Sequence, residues 1–93
     1  MLEIIVLVTL LVFIVIFIAA YLVNKIIAIN LIKKYESEVA EAEATLMVYM
    51  ENPVGIGEHP QHLEEMDKFV EQLANSSDKL VNLKEFYARN YGN

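Results

Sequence analysis

The side chains in this sequence whose types and spacing come closest to a reactive site are His59 and His62, with Glu58 and Glu65 nearby in EHPQHLEE. Two histidines three apart can share one face of a helix, as metal ligands or acid–base groups require. Here Pro60 stands between them at a helix start, and no HExxH pattern is present. They read as solvated loop and first-turn residues. No Ser lies in a nucleophile-like context, no Gly-rich phosphate loop occurs, and the absence of Cys excludes disulfides, thiolate metal sites and thiol catalysis. The sequence is therefore read as a non-enzyme with no catalytic, cofactor-binding or metal residues and no small-molecule substrate.

The elements that would position any site explain why chemistry is scarce. From Ile4 to Val23 there is no charge, Gly or Pro, and only Thr9 and Tyr21 have any polarity. A helix of that length rises about 30 Å, the thickness of a hydrocarbon core. This is the pattern of a transmembrane helix. A cleaved secretory signal is the competing reading, with Ile18 and Ala20 as a weak cleavage site. The start MLE carries no base and the apolar run outlasts the usual core of a signal, so the segment is expected to be retained. Within it, Thr9, Phe13, Phe17 and Tyr21 make one stripe suited to lipid contact; there is no GxxxG, and Ala19 and Ala20 are the only small residues, which gives tight self-association little support.

No Gly or Pro interrupts the chain before Pro53, so the span is expected to continue into a helix of about 30–51 whose apolar residues narrow to Ile32, Tyr35, Val39, Ala42, Leu46 and Tyr49. The stretch 52–60 holds two Pro and two Gly and reads as a loop. A second helix, about 61–90, carries Leu63, Met66, Val70, Leu73, Leu80, Leu83 and Tyr87, with Asn75, Ser76 and Ser77 as a weak point where it either runs through or breaks. Continuity is favoured because Met66, Leu73, Leu80 and Tyr87 keep a spacing of seven.

The fold class that follows is all-α: a single N-terminal transmembrane helix continuous with the first helix of a small antiparallel cytoplasmic hairpin, with an anchor over 1–30 and the hairpin over 31–93. Folding at residues 56 to 57 pairs positions whose numbers sum to about 113, which sets Leu46 near Met66, Val39 near Leu73 and Ser77 opposite Tyr35. Ser76 or Ser77 is then placed to meet the Tyr35 hydroxyl. A parallel homodimer through residues 32 to 50 is disfavoured, because Glu38 of one chain would face Glu43 of the other.

Charge gives the orientation and the surfaces. Only Glu3 is charged before the span, whereas Lys25, Lys33 and Lys34 follow it, so the N-terminus is expected outside and the C-terminal bulk in the cytoplasm. The hairpin register returns Phe86, Tyr87, Arg89 and Tyr91 to the level of Lys25, which makes these residues, with Lys33 and Lys34, the expected membrane-interface set. Residues 35 to 67 hold nine acids and no Lys or Arg. Such a surface repels nucleic-acid phosphates and suits a basic protein surface. Val54, Ile56, Glu58, Glu64 and Glu65 at the tip are the candidate partner contacts.

The layout resembles a type IV pilin in its apolar N-terminal helix, its amphipathic continuation and its early acid, but Glu3 follows directly on Met1 and Leu2 and no Gly-Phe processing site precedes the run. It is also similar to the membrane-anchored stalk subunit of rotary ATP synthases, although the soluble part here is far shorter and bends back. Neither pattern is matched well enough to imply membership. The expected function is a small accessory or regulatory subunit whose partners are the lipid bilayer and a protein with a basic or membrane-embedded surface. The alternative is a self-assembling membrane protein: a holin-like or exclusion factor, or a structural subunit of a filament or membrane-bearing virion.

Overall fold

A computed structural model of the chain describes residues 1–51 and 60–92. Among the described residues there are two helices, α1 (Leu2–Glu51) and α2 (Pro60–Asn90). The 50 residues of α1 contain neither Gly nor Pro, and Glu3 in the first turn complements the helix dipole. At about 1.5 Å per residue such a helix is on the order of 75 Å long. α2 opens on Pro60 and closes with Arg89 in its last turn, matching the usual polarity of helix ends. Beyond Asn90 the amides of Tyr91 and Gly92 both reach the Tyr87 carbonyl, at 2.7 and 3.0 Å. This closure brings Gly92 so near the preceding turn that an added Cβ would lie 3.1 Å from the Ala88 Cα.

The chain divides into two compact units, Met1–Asn30 and Leu31–Asn93. In the first, every large apolar side chain from Ile4 to Val23 is between 42% and 78% exposed. Burying such a side chain stabilises by about 1.5–3 kcal/mol, so leaving this set half-wet would forgo on the order of 20 kcal/mol. That exceeds the net stability of an ordinary domain, about 5–15 kcal/mol. The segment is long and apolar enough to cross a membrane. The Thr9 hydroxyl donates to the Ile5 carbonyl at 2.8 Å, so this polar group is satisfied within its own helix.

In the second unit the two helices lie side by side in opposite directions. Tyr49 meets Glu65, Glu38 meets Ser76 and Tyr35 meets Lys79. Each pair sums to 114, one from the register expected of the sequence. On α1 the seam is the expected one: Ile32, Tyr35, Val39, Leu46 and Tyr49 are half-buried and Ala42 is fully enclosed, at 0% exposure. On α2 the expected seam needs correction, because Leu63 and Val70 face solvent. The row that packs is Met66, Phe69, Leu73, Ser76, Leu80, Leu83 and Tyr87, an unbroken alternation of three and four. Two helices touch only along a narrow line, so residues a quarter-turn off it stay wet however apolar they are.

α2 runs through Asn75 to Ser77 without a break. Ser76 belongs to the seam, so its modest helix propensity is offset by a contact that Ala could not make.

Candidate functional site

The hydrogen bonds from Ser76 and Gln72 to Glu38 cross the hairpin on one side of its seam. Ser76, only 3% exposed, donates to Glu38 Oε2 at 2.8 Å. From the same helix Gln72 Nε2 donates to the Glu38 backbone carbonyl at 3.0 Å. Ser76 therefore meets a carboxylate rather than the Tyr35 hydroxyl expected from register. Glu38 lies one turn beyond Tyr35 on the same face, and an ionised oxygen is the stronger acceptor. The Tyr35 ring instead has two ammonium groups near it, Lys34 Nζ at 6.0 Å and Lys79 Nζ at 5.5 Å from its centroid. At an exposed site each such contact is worth about 0.5–1 kcal/mol. A shallow open groove runs beside them, lined by Leu31, Tyr35, Asp78, Lys79, Asn82 and Leu83.

Toward the start of α2, Tyr49 is the centre of a second cluster. Its hydroxyl donates to Glu65 Oε2, its ring stands edge-on to His62 with centroids 5.6 Å apart, and Phe69 lies 6.3 Å away. The hydrogen bond to Glu65, reinforced by partial burial and the carboxylate's charge, holds the Tyr49 phenol above its ordinary pKa. One oxygen of Glu65 is thus occupied within the hairpin, although Glu65, like Glu64, is exposed. Val54, Ile56, Glu58 and His59 lie outside the described residues.

Of the expected membrane-interface set, Lys33, Lys34, Phe86 and Arg89 are exposed and Lys25, Tyr87 and Tyr91 half-buried. The Tyr87 and Tyr91 rings pair with centroids 5.7 Å apart. Lys84 Nζ lies 3.6 Å from Glu36 Oε1, but both side chains are half-exposed, so the ion pair contributes about 0–1 kcal/mol.

Among the described residues no three His, Asp or Glu side chains converge on a point that could hold a metal ion. What the arrangement offers is surface: one side crossed by hydrogen bonds, and an outer face of α2 that carries exposed Leu63, Val70 and Val81. The sequence signal for Phe69 and Ser76 was the three–four alternation itself, visible only if a serine is admitted into an apolar row. Comparison of the chain with protein-family models, curated proteins and solved structures gives no match.

Proposed function

We propose that the chain is a non-enzymatic, single-pass membrane protein that presents an acidic helical hairpin to a protein partner in the cytoplasm, as a small accessory or regulatory subunit. The observation that carries this reading is the abrupt change along α1. An uncharged stretch exposes apolar side chains on every face, and it is followed by a helix with one narrow seam that a second helix covers. Lipid would solvate the first part, and water the acid-rich outer surface of the second. Lys25, Lys33 and Lys34 would suit the headgroups of the inner leaflet, and the aromatic and basic set Phe86, Tyr87, Arg89 and Tyr91 suits the same interface.

The reading is supported by the all-α architecture and by the paired seam, which leaves the hairpin's outer faces available to another protein. Its test is topological. Carbonate should leave the chain in the membrane pellet, and protease added outside intact spheroplasts should spare everything beyond Asn30. Release into the supernatant, or digestion of that region from outside, would refute insertion or orientation respectively.

A further inference from the structure

The hairpin has two dissimilar sides. The hydrogen bonds from Ser76 and Gln72 to Glu38, and the lysines about Tyr35, lie on one of them. On the other, Leu63, Val70, Ala74, Val81 and Ala88 recur at spacings of seven, four, seven and seven along α2, which puts them in one stripe beside the seam. Leu63 is 58% exposed, Val70 49% and Val81 56%. Lys84 continues the row begun by Leu63 and Val70 and reaches Glu36, so Glu36 and, two turns on, Glu43 border this face on α1. Its outer border on α2 is a second acidic row, Glu64, Glu71, Asp78 and Glu85, spaced by seven and exposed throughout. An apolar strip is thus flanked on both edges by carboxylates.

We propose that this face takes a third helix, supplied by a partner protein, with an apolar stripe bordered on both sides by Lys or Arg. The charge pattern selects that occupant over a second copy of this chain. Residues 35 to 67 contain no base at all, and Lys68, Lys79, Lys84 and Arg89 of α2 do not fall in one row. An antiparallel copy of α2 that matched Val70 to Val81 would bring Asp67 level with Lys84, but it would also bring Glu64 and Glu85, and Glu71 and Asp78, to within about two residues of the same level. A basic-flanked helix avoids that acid–acid repulsion; it meets one base on this face, Lys84, whose charge Glu36 already offsets, and it can pair with Glu43 and with the acidic row of α2. The proposal rests on the reading of the chain as a partner-presenting hairpin and names the surface and the partner's chemistry.

The test uses the full chain in phosphatidylcholine nanodiscs and two synthetic helical peptides with the same leucine stripe, one flanked by Lys and one by Glu. Binding is read by fluorescence anisotropy against empty nanodiscs. The Lys-flanked peptide should bind at least about tenfold more tightly, and V70D/V81D should weaken it by at least about tenfold while helicity is kept. E71K/D78K, which leaves the apolar strip and the seam untouched, should shift preference toward the Glu-flanked peptide. Equal binding of both peptides overturns the proposal, as does binding that survives V70D/V81D but falls with K68E/K79E on the other side. A disulfide-trapped dimer between V70C and V81C chains would show a second copy as the occupant and overturn it too. A native-membrane partner that co-purifies equally with V70D/V81D overturns this face and leaves the tethered-hairpin reading standing. Extraction of the chain by carbonate sinks that reading while the peptide result still decides the face.

Discussion

Ser76→Ala tests the seam most directly, because it removes one hydroxyl from a buried position and nothing else. The hydroxyl donates to an ionised oxygen at 2.8 Å. Such bonds contribute about 1.5–3 kcal/mol, and the half-exposure of Glu38 puts this one at the lower end. Against it, Ala is favoured over Ser in a helix by roughly 0.5 kcal/mol. The expected net loss is about 1 kcal/mol, or about fivefold faster amide exchange between Leu73 and Leu80 when the full chain is held in nanodiscs. Glu38→Ala should cost a similar amount. It leaves the Gln72 contact in place, because that bond goes to the Glu38 backbone carbonyl. The double variant should then be milder than the sum of the two by about 1.5 kcal/mol, the energy of a bond that can be lost only once. Strict additivity, or an equal effect from Ser77→Ala one residue on, would refute the assignment of this hydrogen bond as a seam contact.

Further expectations are as direct. The raised pKa of Tyr49 means that the stability from its bond to Glu65 is fully present below the ordinary tyrosine pKa of about 10 and is lost as pH rises through the higher folded value. Glu65→Gln should move the Tyr49 titration down, read as the difference in phenolate absorbance between otherwise identical chains with and without Tyr49→Phe; no movement would contradict the pairing. Val39→Ala and Leu73→Ala, at half-buried seam positions, should each destabilise the hairpin by about 1–2 kcal/mol, less than a fully enclosed site would lose. Leu63→Ala, on the outer face, should cost under about 0.5 kcal/mol by the same exchange measurement. Gly92→Ala should fray the closing turn, because its Cβ would meet the Ala88 backbone at 3.1 Å; an unchanged exchange rate at Tyr91 would argue against that turn.

The sequence made α1 legible along its whole length, since hydropathy marks the uncharged run and the stripe from Ile32 to Tyr49 follows helical spacing without exception. α2 was harder for a physical reason. Leu63 and Val70 fit a heptad as well as Phe69 does, and only the contact with α1 decides which row lies on the line between the helices. Ser76 reads in the sequence as a weak point of a continuous helix with Tyr35 as its partner by register, whereas its actual partner is a carboxylate 38 residues away. The Tyr49–Glu65 pair could have been found from the register, which places those positions within one residue of each other. Its hydrogen bond could not, because that depends on side-chain rotamers.

The cross-hairpin hydrogen bonds are ordered by the length of chain they enclose: 16 residues for Tyr49 and Glu65, 34 for Gln72 and Glu38, and 38 for Ser76 and Glu38. Closing a loop costs an entropy that grows only with the logarithm of its length, so once the shortest is closed each later one adds only a small increment. The hairpin can therefore zip shut from the Tyr49 cluster outward, one pair at a time. It should open in reverse, with the pairs that enclose most chain parting first. During synthesis the half of the seam on α1 is made well before α2 emerges, and must remain wet until it does. A chain cut back from its C-terminus would on this account lose its pairing by degrees rather than all at once.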